Sequence, residues 1–83
     1  MTKADKTVDQ MRNNPRNWRI DDLSSVAFRY SIEVRNNGGS HHVFSAHGII
    51  ESLCIPAHRP VKPVYVKRFL AMIDMIEEKP HES

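Results

Sequence analysis

The chain has 83 residues, a formal net charge of +2 from 12 basic and 10 acidic side chains, and one cysteine. This length suits one domain with a small core, and a single cysteine excludes an internal disulfide. No N-terminal apolar run has the length of a signal peptide or a membrane span, and the small net charge does not by itself indicate a nucleic-acid binder. We therefore expect a cytoplasmic protein.

The N-terminal segment has the pattern of a short polar helix over residues 3–12, with Val8 and Met11 as its apolar positions. Asn13-Asn14-Pro15 ends it. Trp18, in the connector that follows, is expected to pack onto the domain. We assign residues 1–20 to an accessory helix and connector.

A core helix is predicted over residues 22–30, where Asp21 or Asp22 is a suitable N-cap. Its apolar residues follow the spacing of a helix with one buried stripe. That stripe consists of Leu23, Val26, Ala27 and Tyr30.

Three strands are predicted next. Ile32 and Val34 alternate with charged residues, and residues 36–39 supply the positive-φ positions of a hairpin turn. A second strand is expected from about residue 40 to 44 or 45, and a third from about 49 to 55, ended by Pro56 because proline has no N–H to donate. Cys54 lies inside this apolar third strand, where we expect it to be a small buried hydrophobe.

The last helix is predicted over residues 63–77, and residues 79–83 are assigned to a frayed tail. Its buried stripe consists of Val66, Phe69, Leu70, Ile73 and Ile76. The domain at 21–78 is therefore expected to be α+β: a three-stranded antiparallel sheet with two helices on one face, in the order α-β-β-β-α, and with its other face open.

Two adjacent histidines, His41 and His42, follow the glycine turn. Histidine can take and give a proton near neutral pH, so an exposed one on a strand is a candidate general acid or base. Adjacent strand residues point to opposite faces, and His42 shares the parity of the large apolar Phe44. We therefore predict His41 on the open face and keep His42 as the second choice. From the pair alone, a polar strand start without a catalytic role is the more frequent case.

A basic stretch runs from residue 59 to 68 without an acid, although solvated side chains on a helix face would give the same pattern. Its members are Arg59, Lys62, Lys67 and Arg68. His58 beside it is a candidate phosphate contact or an ordinary exposed loop residue. Gly39 leaves room for a ligand backbone, and Ser40 either orients His41 or a phosphate or caps its own turn.

A metal site is not predicted. His41, His42, His47 and His58 are possible ligands, but their spacing is irregular and only one cysteine accompanies them. We expect no metal and no other cofactor.

Four features occur together in this chain: the run Gly39-Ser40-His41 with Phe44 three residues later, a strand that ends in Pro56, the His-Arg-Pro-x-Lys-Pro connection at 58–63, and the basic-apolar helix. In combination they resemble the HicA family. The resemblance covers about residues 22–76. It implies the topology of double-stranded-RNA-binding domains, endoribonuclease activity on messenger RNA, and carry-over of the family's catalytic histidine to His41. It also implies a HicB-type antitoxin as partner, with the toxin monomeric alone and hetero-oligomeric with the antitoxin.

Two features depart from the family pattern. Many members have a His-Pro pair in the turn where this chain has Ser45-Ala46-His47-Gly48, and the shortest members lack the N-terminal helix. The competing hypothesis is a non-catalytic RNA- or protein-binding module of the same fold, which would recognise A-form RNA by shape and phosphate contacts.

Overall fold

A computed structural model describes residues 3–36 and 38–78, without the side chains of residues 3–5 and 78. Its elements are, in chain order, α1 (Lys3–Asn13), α2 (Ile20–Arg29), β1 (Ile32–Asn36), β2 (His41–Ala46), β3 (Leu53–Pro56) and α3 (Pro63–Glu78). The predicted α+β class is confirmed. The tail predicted at 79–83 lies outside the described residues.

The sheet is antiparallel, with the strand order β1-β2-β3. Val34, Phe44 and Leu53 form a row across it on the face that packs against the helices. Phe44 is fully buried and meets the ring of Phe69 edge to face, with 5.5 Å between ring centroids. Residues of the alternate parity, such as Val43, are half-buried or exposed, so the described helices leave the second face open.

The helix α2 begins at Ile20, earlier than predicted. The carboxylate of Asp22 accepts a hydrogen bond of 3.0 Å from the backbone N–H of Arg19. Asp22 therefore caps the helix from its third position, and not as the N-cap residue. The other end of α2 is tied to α3, because the Tyr30 hydroxyl donates to the carboxylate of Glu77 at 3.2 Å.

The helix α1 contributes to the same core as the rest of the domain. Val8 is 3% exposed and Met11 is fully buried, and both belong to the cluster formed with α2, α3 and the sheet. At the surface, Arg12 forms two hydrogen bonds to the carboxylate of Asp74 in α3, at 2.6 and 3.2 Å. These bonds raise the pKa of Arg12. The predicted contact of Trp18 with the domain is also present.

The third strand is shorter than predicted. It begins at Leu53, not at residue 49, and includes Pro56, which pairs with His41. The prediction extended the strand back to Ile49 and Ile50 because both are apolar. In the structure, Ile50 is fully exposed in the connection to β3. The prediction that Cys54 is buried is wrong, because Cys54 is exposed. It pairs with Val43 on the open face, while its neighbours Leu53 and Ile55 point toward the helices.

None of the helices in the described ranges has the length and apolar content needed to cross a membrane.

Candidate functional site

The two histidines lie on opposite faces of β2. His41 is exposed and pairs with Pro56, whereas His42 is half-buried and pairs with the fully buried Ile55. The open face therefore presents the imidazole of His41 to solvent at the start of a paired strand, as strand alternation predicted. This is the geometry that an acid or base acting on an external substrate requires.

His42 takes part in a local hydrogen-bond network. The backbone N–H of Gly38 donates to Oδ1 of Asn36 at 2.8 Å, which turns the Asn36 amide nitrogen toward Nε2 of His42, 3.3 Å away. Nε2 is then the acceptor, so the proton of the neutral imidazole lies on Nδ1. Nδ1 is buried and finds no hydrogen-bond partner among the described residues. Nδ1 of His42 is thus buried and Nε2 is occupied by Asn36, which favours His41 as the reactive imidazole.

The glycine turn before β2, at Gly38 and Gly39, is exposed. Gly38 has a φ of 80°, the left-handed conformation expected of a turn glycine. Gly39 is exposed, and a Cβ placed on it would meet nothing within 4 Å. The turn beside His41 therefore leaves space for a ligand.

The loop that follows β3, beginning at Ala57, is hydrogen-bonded to the residue before His41. The backbone N–H of Ala57 donates to the carbonyl of Ser40 at 2.6 Å. This bond places the exposed His58 and Arg59 next to the start of β2. Ser40, His41, His58 and Arg59 are thus brought into one region of the surface.

The remaining basic candidates lie on α3 or just before it. Lys62 is exposed just before α3, and its carbonyl accepts bonds from the first turn of that helix. Lys67 and Arg68 are exposed on α3. The guanidinium carbon of Arg68 lies 6.0 Å from the centroid of the Tyr65 ring. Arg68 also lines a groove with Leu53, which is at the opposite end of β3 from Pro56. The structure therefore separates Arg68 from the His41 region.

Arg19 was missed by the sequence analysis. The backbone N–H of Val61 donates to the carbonyl of Trp18 at 2.8 Å, so the connector before α2 runs beside the loop after β3. Arg19 consequently lines the same groove as His58 and Arg59. No local sequence signal could have found it, because the contact joins residues more than forty positions apart in the chain.

In the part of the chain that the structure describes, no three side chains of His, Cys, Asp or Glu are grouped so that they could hold a metal ion. The single cysteine, Cys54, lies on the open face near Val43 without such companions.

Comparisons with protein-family models, with curated proteins and with solved structures found no match to this chain. The resemblance to the HicA family therefore depends on motifs such as Gly39-Ser40-His41 and the connection at 58–63, and the family assignment stays a prediction.

Proposed function

We propose that the protein is an endoribonuclease that cleaves messenger RNA without a metal ion, with His41 as general base, and that it acts in the cytoplasm as the toxin of a HicA–HicB-type pair. The observation that carries the proposal is the exposed imidazole of His41 on the uncovered face, beside Ser40 and the loop with His58 and Arg59. The resemblance of the sequence to HicA toxins supports the same reading.

The reaction is a transesterification within the RNA. His41 takes the proton of a ribose 2′-hydroxyl, whose oxygen attacks the adjacent phosphorus while the bond from phosphorus to the 5′-oxygen breaks. The products are a 2′,3′-cyclic phosphate and a new 5′-hydroxyl, which receives a proton from solvent. Basic side chains hold the phosphates by charge-assisted hydrogen bonds.

A HicB-type antitoxin would restrain this activity by covering His41 and the neighbouring basic loop. The uncovered sheet face supplies the surface for such a partner, since Val43 and Cys54 are accessible there. The toxin is proposed to be monomeric alone and to assemble with the antitoxin into a hetero-oligomer.

Product analysis tests the chemistry. A 5′-labelled transcript is incubated with the protein in EDTA, and the ends of the fragments are determined. We expect cyclic phosphate and 5′-hydroxyl ends, and no cut where the nucleotide 5′ to the scissile bond carries a 2′-deoxyribose. An intact transcript that the protein nevertheless binds would favour the non-catalytic RNA-binding module.

A further inference from the structure

Two arginines, Arg19 and Arg59, line a groove between two chain segments that are far apart in sequence. The groove has a volume of about 200 Å³, and its polar lining includes Arg19 and Asp21 from the start of α2 and His58 and Arg59 from the loop after β3. Ile20 and Ala57 complete the lining. A second depression, of about 310 Å³, adjoins it and is lined by Asn17, Arg19, Arg59 and Pro60.

Arg19 and Arg59 are the two residues that these depressions share. Arg19 and Arg59 are both exposed. Among the described residues, neither side chain hydrogen-bonds to a carboxylate, whereas Arg12 is bonded to Asp74. Two arginines on one groove suit a phosphodiester, because guanidinium groups form charge-assisted hydrogen bonds to phosphate oxygens.

Backbone contacts keep the groove next to His41. Pro56 pairs with His41, and Ala57 is bonded to the carbonyl of Ser40. Arg59 is the third residue after Pro56, so the Cα of Arg59 lies within about 16 Å of the Cα of His41. This distance is short enough for one strand of RNA to contact both His41 and the groove.

We propose that the groove between Arg19 and Arg59 binds a phosphate of the RNA backbone near the scissile one, with His58 as an additional donor. This inference rests on the proposed function and deepens it, because it assigns the substrate's backbone to this groove and not to the region of Arg68. Asp21 lies at the same groove and opposes the binding through its negative charge.

The test measures binding separately from cleavage. A fluorescent oligoribonucleotide with 2′-O-methyl groups throughout cannot undergo attack by its own 2′-oxygens, and its affinity for the full chain is followed by anisotropy at several salt concentrations. Arg19→Gln and Arg59→Gln are compared with Arg29→Gln, which removes the same charge from an exposed position at the other end of α2. Circular dichroism verifies that each variant is folded.

We expect Arg19→Gln and Arg59→Gln each to weaken binding by about 3- to 10-fold, and to reduce the slope of log affinity against log salt by about 0.7. Asp21→Asn should strengthen binding, and Arg29→Gln should stay within about twofold of the wild type. The proposal is overturned if Arg19→Gln binds as well as Arg29→Gln does, or if the wild type does not bind the oligonucleotide at low salt. Unchanged RNA affinity with weakened binding of an acidic partner protein would overturn it in favour of a protein-docking groove.

The outcome is distinguishable from that of the proposed function. If the wild type leaves a cleavable transcript intact while the arginine variants still bind more weakly than Arg29→Gln, the groove is supported and the nuclease proposal fails. If His41→Ala abolishes cleavage while Arg19→Gln leaves binding unchanged, the nuclease proposal stands and the groove is overturned.

Discussion

Replacing Met11 by alanine tests whether α1 is part of the folded domain. The side chain of Met11 is fully buried in the core cluster, and α1 packs against α2 and α3. Truncation of a buried methionine removes its transfer free energy and leaves a cavity, at a cost of about 2–5 kcal/mol. A protein of this size has a free energy of unfolding of about 4–12 kcal/mol, so the loss is a large fraction of the total.

The measurement is urea denaturation followed by circular dichroism, with Gln10→Ala as the control because Gln10 is the exposed neighbour on the same helix. We expect the midpoint for Met11→Ala to fall with little change in the slope, and the melting temperature to drop by about 4–8 °C for each kcal/mol lost. Gln10→Ala should stay within about 0.5 kcal/mol of the wild type. Equal stabilities of the two variants would refute the packing of α1 into the core and support a merely accessory helix.

Three further predictions concern the core and the turn. Phe69→Ala should cost about 3–5 kcal/mol in urea denaturation, because this fully buried ring fills the centre of the core; a loss below about 0.5 kcal/mol would mean that it packs elsewhere. Gly39→Ala should leave the melting temperature unchanged while reducing RNA affinity. Gly38→Ala should lower the melting temperature, because Gly38 has a φ of 80°. A melting temperature lowered by Gly39→Ala but not by Gly38→Ala would contradict the turn geometry. Asn36→Ala should cost about 1 kcal/mol and shift the ring-nitrogen NMR signals of His42, and unchanged signals would contradict the network.

Local periodicity predicted the parts of the fold that depend on neighbours in the chain. Alternation along β2 placed His41 and His42 on opposite faces, because successive side chains of a strand must alternate. The stripe of α3 was also predicted, and Phe69 is fully buried there. These patterns needed no knowledge of which strand pairs with which.

Other parts depend on register and on contacts between distant segments. The exposure of Cys54 follows from its pairing with Val43, which a run of apolar residues does not reveal. Arg19 lies at the groove where the backbone N–H of Val61 donates to the carbonyl of Trp18, a contact between distant parts of the chain. Asn36 could be predicted as a turn residue, but its contact with His42 needs the cross-strand pairing of the two positions.

The role of His41 is tested most directly by the cleavage rate of a labelled transcript in EDTA, measured for His41→Ala, His42→Ala and His47→Ala with the melting temperature of each protein. His41→Ala should slow cleavage by about 10²- to 10⁴-fold with an unchanged melting temperature, because an exposed side chain contributes little to folding. His42→Ala should lose stability and retain part of the activity, and the exposed turn variant His47→Ala should change neither. Cleavage by His41→Ala at the wild-type rate would contradict the account, and full loss in His42→Ala alone would assign the base to the other face of the strand.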